Sequence, residues 1–556
     1  MGFKTMAARN IRTWDDVKKA RKAGAISEAE EKLIDCCQTG LGCDLGKDVP
    51  MAPSKARNIG ADLLRYLVTG GCDKAGLHEM GVQLQGAYIS DPLRLDMCRA
   101  VGKTSLDSCY FAERLDAEST EFQLLDLEDS HFPNGIRAQA VKVASSVFLR
   151  GITAKATVNL NSAEIGGQLA CEGAQLLCED ADALNAQGAK IKADVFLTEI
   201  KAKATVNLAS AEIGGHLDFE GASLCAKKGA ALFLQSARAS AIFWRGVVVC
   251  DGRVDLTSAQ VGDLVDDTTS WAKVSAVDLD RFSYQHLQNP WTVEERLEWL
   301  AKDQETAGAF QPQPYQQLAK VYGEMGHDAD RRRVLLEKEK LTTAAENARI
   351  QDALAETTAD IIEAKRLAKL PTLQSSDHEI LENERRYLRQ LKNRTLQLRK
   401  ARNLNTLWRG FLSLTIGYGY SPLRVLAWAA GLIVAVCILS NLAMETGGMA
   451  PNSDVVLTSE AWTALVEAKP KEDPSAPTVD WLKTEAGRHY ETFNALAYAA
   501  DVVIPLVPLE QEAAWAPTTQ TWLGWSLWVF NWVAKLFGWI LTGLGAAAIT
   551  GHIRRD

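Results

Sequence analysis

One segment of this chain occurs twice. VFLRGITAKATVNLNSAEIGGQLACEGAQL (147–176) returns as VFLTEIKAKATVNLASAEIGGHLDFEGASL (195–224), with about three quarters of the positions identical and a constant offset of 48 residues. Self-similarity at a fixed period in this range is the signature of repeat architectures, in which each unit buries its apolar face only against its neighbours. The duplication therefore predicts a stacked solenoid.

The pattern inside each copy predicts short β-strands. Val158, Asn159 and Leu160 alternate apolar, polar and apolar side chains, and the same alternation recurs at 206–208. Such alternation suits strands with one buried face, and small residues recur where coils turn or stack closely. The Gly-Gly pairs in the repeat lack the GxGxxG spacing of a phosphate-binding loop, which favours solenoid turns. We predict a right-handed parallel β-helix, a pentapeptide-like solenoid, over residues 80–280, preceded by an N-terminal helical cap over 1–79.

The next segment, 281–405, has the pattern of a helical connector. Thr292 followed by Glu295 is a capping-box signature for a helix start. Residues 313–341 predict a helical hairpin resembling one tetratricopeptide-like repeat. A polar Ala/Glu-rich helix follows, and a basic juxtamembrane helix ends the connector. Its cations either face solvent or contact anionic lipid.

The last quarter of the chain, 406–556, is predicted to be a membrane domain. Residues 422–443 and 531–550 are two apolar runs whose lengths match a hydrocarbon core of ~30 Å. They predict a transmembrane hairpin, with Lys535 reaching towards the interface from the start of the second span. Four tryptophans on one helix face are predicted to anchor it at the membrane–water boundary: Trp522, Trp525, Trp528 and Trp532.

The flanking cations predict the orientation. Five cations precede the first span, from Arg394 to Arg409, and Arg554 and Arg555 follow the second. By the positive-inside rule both termini are cytoplasmic, which requires an even number of crossings in a multi-pass protein. The apolar segment 493–509 contains prolines, which favours a re-entrant or interfacial segment over a third span.

Four charged residues of this domain are candidate pore or membrane polar residues. Asp501 lies in the apolar segment, where a carboxylate is costly unless it is paired or faces water. Glu510 and Glu512 follow on the predicted return, and Lys535 lies on the second span. A half-helix and an irregular return between two spans is also the layout of a two-span channel pore, although no TVGYG-like filter is present.

The sequence indicates no catalytic, cofactor-binding or metal site. It contains no P-loop, HExxH, GxSxG or Rossmann fingerprint, and its eight histidines show no ligand spacing. The eleven cysteines form no CxxC pair and no compact framework, which favours reduced, buried thiols. The net charge of −9 argues against a nucleic-acid partner.

The assembled segments resemble a bacterial family. The resemblance is carried by GVQLQGAYISDPLRLD and SAEIGGQL in the β-helix, by FQPQPYQQLAKVYGEMGHDADRRRVLLEKEK in the hairpin, and most specifically by WRGFLSLTIGYGYSPLRVLAW, FNALAYAADVVIPLVPLEQEAAW and GWILTGLGAAAITGHIRRD. Its members join degenerate pentapeptide-like repeats to a helical hairpin and a two-span membrane module, and are often labelled membrane-associated oxidoreductases. The resemblance implies a bacterial inner-membrane location, and it brings no catalytic residues and no cofactor. The polar insertion around 342–376 departs from the usual pattern.

Three functions remain open at this stage. The first is an interaction or assembly scaffold, whose cytosolic β-helix binds a protein partner while the hairpin fixes it to the lipid bilayer. The second is a channel-like pore gated by the repeat domain. Because two spans cannot enclose a channel alone, a pore requires a homo-oligomer. The third is an oxidoreductase, which no motif supports.

Overall fold

The computed structural model describes residues 9–71, 73–288, 291–307, 310–367, 378–415, 417, 423–470, 472–504 and 508–549. The chain divides into two compact units, 1–338 and 339–556. The α-helices, in chain order, are α1 (Trp14–Lys22), α2 (Glu28–Thr39), α3 (Ala61–Val68), α4 (Thr268–Ala272), α5 (Val293–Ala307), α6 (Gln313–Glu324), α7 (Asp328–Leu367), α8 (His378–Thr415), α9 (Leu423–Glu445), α10 (Asp454–Leu457), α11 (Glu460–Glu467), α12 (Thr478–Trp481), α13 (Glu485–Arg488), α14 (Ala495–Val503), α15 (Gln511–Ala514) and α16 (Trp522–Ile549), and a 3-10 helix covers Asp73–Ala75.

The first unit is a parallel β-solenoid of about nine turns, which confirms the predicted β-helix. Each coil contributes strands to four faces, and every strand pairs with its equivalents in the neighbouring coils. Face 1 contains Leu93–Arg94, Leu115–Asp116, Ile136–Arg137, Val158–Asn159, Leu184–Asn185, Val206–Asn207 and Val277–Asp278. Face 2 contains Glu121–Phe122, Lys142–Val143, Glu164–Ile165, Lys190–Ile191 and Glu212–Ile213.

The other two faces complete each coil. Face 3 contains Cys43–Asp44, Gly81–Gln85, Lys103–Asp107, Leu124–Asp126, Val147–Phe148, Leu169–Ala170, Val195–Phe196 and His216–Asp218. Face 4 contains Asn58–Ile59, Tyr88–Ile89, Tyr110–Phe111, His131–Phe132, Thr153–Ala154, Gln175–Leu176 and Lys201–Ala202. Longer strands then bend around a corner, Ser223–Phe233 and Val248–Asp255 from face 4 to face 1, and Arg238–Trp244, Gln260–Asp266 and Ser283–Leu287 from face 2 to face 3. The stack thus begins at 43–44, inside the segment that the sequence assigns to the helical cap.

At the corner between faces 1 and 2, the solenoid turns on left-handed residues that are mostly not glycine. Ser119, Ser162 and Ser210 make the turn from face 1 to face 2 with φ of 52°, 55° and 56°. Gly166 lies instead at the corner between faces 2 and 3, where an added Cβ would lie 2.1 Å from the carbonyl oxygen of Ala144 in the adjacent coil. The Gly-Gly pairs therefore permit close stacking of coils, as their place in a repeat predicts.

Helices cover both ends of the stack, with α3 against the first coils and α5 and α6 against the last ones. Such caps shield the strand edges at the ends of a repeat stack. Near the N-terminus, the Arg9 guanidinium contacts the carboxylates of Glu30 and Asp62, which joins the chain entry to α2 and α3. At the other end, the Arg296 guanidinium on α5 donates two hydrogen bonds of 2.7 Å to the Asp266 carboxylate, and both side chains are fully buried.

The helical hairpin follows the solenoid. Helix α6 ends at Glu324, Gly326 has a left-handed φ of 80°, and α7 starts at Asp328, so the turn lies where the sequence predicts it. Helix α7 is longer than expected, because the polar stretch that follows the hairpin continues it as one helix.

The second unit contains the apolar helices. The later part of α7 packs against α8, where the Arg409 guanidinium contacts the Glu346 carboxylate at 2.9 Å. Two stretches are long and apolar enough to cross a membrane, Arg424–Glu445 in α9 and Trp522–Leu544 in α16. The second starts nine residues before the predicted 531, because the tryptophan-rich stretch continues the helix. Two short strands, Met449–Pro451 and Trp515–Pro517, pair antiparallel beside them.

Candidate functional site

A half-helix lies between the two candidate spans. Helix α14 packs against both α9 and α16 around a core that includes Tyr498 and Val502. An added Cβ on Gly538 would lie 2.1 Å from the carbonyl oxygen of Val503, so the end of α14 touches the α16 backbone there. Gly538 lies about 24 Å beyond the start of α16, in a candidate span of about 35 Å. This depth favours the re-entrant arrangement over the interfacial one.

Asp501 holds the chain that follows this half-helix against it. We call residues 508–512 the return segment. One carboxylate oxygen accepts a hydrogen bond from the backbone N–H of Leu509 at 2.9 Å, and the other accepts from the N–H of Glu512 at 2.8 Å. A carboxylate that accepts two amide hydrogen bonds is compensated for its loss of water. The geometry therefore gives Asp501 a positioning role in the fold of the return.

The structure brings Glu512 and Lys535 together. The Lys535 ammonium contacts the Glu512 carboxylate in an ion pair, and both side chains are a little over one third exposed. Lys535 was expected to reach towards the interface, but its charge is balanced within the protein because the return segment carries Glu512 back to α16. Glu510 is exposed and adopts a left-handed φ of 60° at the start of α15.

The sequence did not single out three further residues of this site. The Asn531 side-chain N–H donates to the Tyr498 hydroxyl at 2.8 Å, and both residues are buried. The other amide atom of Asn531, Oδ1, has no hydrogen-bond partner among the described residues. Gly538 is the third. An Asn in an apolar helix was the available signal for the first contact, whereas the approach of Val503 to Gly538 depends on packing that no local pattern reveals.

The predicted tryptophan anchors lie along the outside of α16. Their exposed fractions are 76, 55, 43 and 63% for Trp522, Trp525, Trp528 and Trp532. From Trp522 to Trp532, the row extends about 15 Å along the axis of α16. The row therefore lies along the first part of the second candidate span, and its place at a membrane–water boundary stays a prediction.

The most irregular corner of the solenoid lies between faces 4 and 1. In most coils five residues separate the paired positions on these faces, as from Thr153 to Val158. The separation grows to nine residues from Gln175 to Leu184 and again from Ser223 to Leu232. We call the three segments 177–183, 225–231 and 250–253 the corner ridge. Insertions confined to one side of a solenoid often mark its binding side.

The two large insertions of the ridge carry opposite charge. Residues 177–183 read LCEDADA, and 225–231 read CAKKGAA. The Glu179 carboxylate contacts the Lys227 ammonium at 2.8 Å and the Lys203 ammonium of the intervening coil at 3.4 Å. These contacts, the Lys227 hydrogen bond first, hold the pKa of Glu179 below its usual value. Asp180 and Ala181 remain exposed at the tip.

A disulfide closes the ridge. Cys225 and Cys250 are bonded, with their Cα atoms 4.8 Å apart. The prediction of reduced thiols throughout is wrong for this pair. The two residues are 25 positions apart, about the length of one coil, so stacking brings side by side two cysteines whose spacing gives no local signal.

Face 2 carries a row of charges that alternates in sign from coil to coil. In order along the stack the residues are Arg99, Glu121, Lys142, Glu164, Lys190, Glu212 and Arg238. Neighbours in such a row lie about 4.8 Å apart, so alternation replaces like-charge repulsion with attraction. Beside this row runs a groove of about 360 Å³, whose lining includes Lys192 and Gly166.

Among the described residues, no group of three or more histidine, cysteine or acidic side chains is arranged to hold a metal ion. No known protein family, curated protein or solved structure matches the chain.

Proposed function

We propose that this protein is a membrane-anchored scaffold that presents the corner ridge of its β-solenoid to a protein partner. The observation that carries the proposal is the placement of both large insertions at one corner of the coils between 81 and 266, whose other corners keep nearly constant length. The longer connection 45–57 lies at another corner, but in the terminal coil. Folding of the coils does not require the two insertions, because the neighbouring coils close the same corner with five residues. Exposed acidic and basic groups side by side fit a protein surface of mixed charge.

The second unit supplies the anchor in this proposal. Helices α9 and α16 cross the bilayer as a hairpin, and the re-entrant α14 fills the space between them. The cations that flank the hairpin favour cytoplasmic termini, and the family resemblance favours the bacterial inner membrane. The solenoid and the ridge then face the cytoplasm, whose reducing conditions favour the dithiol form of Cys225 and Cys250.

Removal of one insertion tests the scaffold. Deletion of 179–182 leaves two residues, Leu177 and Cys178, between Leu176 and Ala183 and so restores the short connection of the neighbouring coils. Cells that express the tagged full chain or the deletion are treated with a membrane-permeable crosslinker, and the proteins captured in solubilised membranes are quantified. We expect the amount of the principal captured protein to fall at least tenfold with the deletion. In the reciprocal experiment the captured protein carries the tag, and it should retrieve the wild-type chain.

A matched control separates the ridge from the rest of the solenoid. Ser145→Asp places a new charge at the opposite corner, where the side chain is exposed, and capture should be unchanged. Equal capture by the wild type and the ridge deletion, both shown to be in the membrane, would contradict the proposal.

A pore is the second candidate, and the return segment favours it. Helix α14 lies between the two candidate spans, and Glu510 is exposed on the return segment. Buried polar groups of Tyr498 and Asn531 contact each other where α14 packs on α16. Several copies around an axis would place such returns towards the centre.

Ion flux through sealed liposomes tests the pore. Glu510→Gln is a better probe than a change at Asp501, because Asp501 fixes the return through two backbone hydrogen bonds. A pore predicts protein-dependent flux whose cation selectivity falls with Glu510→Gln and is unchanged by Glu445→Gln, an exposed control at the end of α9. Tight liposomes that contain folded, inserted protein would remove the pore from consideration.

A further inference from the structure

The C-terminal end of α8 has an unusual composition for a solvated helix. Residues 385–415 contain nine lysines and arginines and no acidic residue. Apolar residues become dense in the last three turns, where LNTLWRGFLSLT covers 404–415. Basic residues along a helix next to a patch of Trp, Phe and Leu are typical of helices that lie in a membrane interface.

The structure places these apolar side chains on one exposed face, which we call the α8 stripe. It consists of Leu404, Leu407, Trp408, Phe411 and Leu414, at spacings of three, one, three and three residues. Four of them are strongly exposed, at 69, 72, 55 and 61% for Leu404, Leu407, Trp408 and Leu414. The stripe therefore leaves a row of large apolar side chains without cover in the described chain.

The neighbouring face of α8 is already occupied, so the stripe is not the contact with α7. Asn405 and Arg409 point towards α7, where both contact the Glu346 carboxylate, at 3.2 and 2.9 Å. Residues of the stripe lie on the other side of the helix. Helix α7 therefore does not cover the stripe.

The end of α8 is attached to the start of the first candidate span. The Trp428 indole N–H donates to the carbonyl oxygen of Leu414 at 3.1 Å, and Arg424 donates to that of Ser413 at 3.3 Å. Leu412 packs on the cluster formed by Val425 and Leu541, near one end of both apolar helices. The stripe is thus continuous with the surface that the spans present to lipid.

We propose that the α8 stripe inserts into the bilayer surface beside the first span, while the exposed cations of α8 hold anionic lipid headgroups. Lys392, Arg394, Arg399 and Lys400 supply these charges and are all exposed. Insertion to the headgroup–acyl boundary buries the apolar row in hydrocarbon, and each cation near an anionic surface adds to the binding. The long helix is then fixed to the membrane at a second place beyond the hairpin.

Photocrosslinking in reconstituted vesicles tests this contact. The full chain with p-benzoylphenylalanine in place of Leu407 is incorporated into vesicles of phosphatidylcholine and alkyne-bearing phosphatidylglycerol and irradiated. Thr406 is the matched control position. It is exposed and directly precedes Leu407, but its side chain points away from the stripe. We expect lipid adducts at position 407 to exceed those at 406 at least fivefold.

Each other outcome overturns part of the proposal. A crosslinked product of twice the chain mass at 407, without lipid adducts, means that a second copy covers the stripe. Equal, low labelling at 406 and 407 means that the stripe faces water. Moving the alkyne from phosphatidylglycerol to an equal fraction of phosphatidylcholine in the same mixture should lower the yield at 407 at least twofold, and an unchanged yield would overturn the role of the cations.

Discussion

The solenoid and the second unit, which contains the two candidate spans and which we call the membrane unit, satisfy their polar groups in opposite ways. In the solenoid, backbone amides bond to the adjacent coil, as from Glu164 N–H to the Val141 carbonyl oxygen at 2.8 Å, and the same bond recurs coil after coil. In the membrane unit, the amides of the return segment bond to one side chain, Asp501. Repetition distributes the stability of the solenoid over many equivalent contacts, whereas the membrane unit depends on a few unique ones.

The largest expected effect comes from the exception within the solenoid, its buried ion pair. Arg296→Ala leaves the Asp266 charge buried without its guanidinium, and such changes cost about 3–5 kcal/mol. Because a solenoid is stabilised by neighbouring coils, we expect hydrogen exchange to accelerate strongly in 241–266 and to stay unchanged in 81–126. The double change Arg296→Met with Asp266→Leu should restore much of the protection. Equal acceleration of hydrogen exchange along the whole stack would show that stability is not distributed locally among neighbouring coils.

A smaller effect is expected where the half-helix meets α16. Gly538→Ala forces a methyl group against the Val503 carbonyl oxygen, and overpacking of this kind costs about 1–3 kcal/mol. Gly543→Ala is the control, because an added Cβ there meets nothing within 4 Å. Thermal denaturation of the detergent-solubilised chain should show a lower midpoint for Gly538→Ala only. Identical midpoints for both variants would mean that α14 does not need this close approach.

The membrane ion pair should contribute less than the buried pair of the solenoid. Glu512 and Lys535 keep more than a third of their surface exposed, and pairs of this kind contribute about 1 kcal/mol or less. We expect Glu512→Gln to lower the midpoint of thermal denaturation slightly. Adding Lys535→Gln to that variant should lower the midpoint little further, because the ion pair is already lost. Additive losses in a double-mutant cycle would show that the two side chains do not interact.

The last prediction concerns pH dependence and an acidic pair on face 3. Burial, followed by the charge of the neighbouring Asp126 carboxylate, raises the pKa of Asp107 to about 7. Because the folded pKa lies above the unfolded one, Asp107 contributes stability that is complete below about pH 4 and lost as the pH rises through 7. Pulse proteolysis in urea at pH 5 and pH 8 should show this loss for the wild type, whereas Asp107→Asn should be nearly independent of pH.

The sequence predicts the solenoid well because its determinants are local and repeated. Strand positions follow from the alternation at Val158 and Leu160, and the two apolar helices follow from their length and composition. The corner ridge was missed, although its signal was present. An offset of 48 residues is one coil of 22 and one of 26, so one connection in the unit had to be longer than the rest.

The membrane site was predicted in part. Asp501, Glu512 and Lys535 were recognised as charges in an apolar setting, and the structure brings Glu512 into contact with the other two. Their partners could not be predicted, because the ion pair and the contact of Val503 with Gly538 join residues that only the folded return brings together.

The alternating charges of face 2 set the step by which this solenoid can change its length. Loss or gain of a single coil would place two like charges side by side, as Glu164 and Glu212 would be without Lys190 between them. Loss or gain of two coils preserves the alternation. The duplicated 48-residue unit contains two coils, so copying it adds one acidic and one basic rung together. Charge alternation on face 2 therefore favours a change of length by pairs of coils.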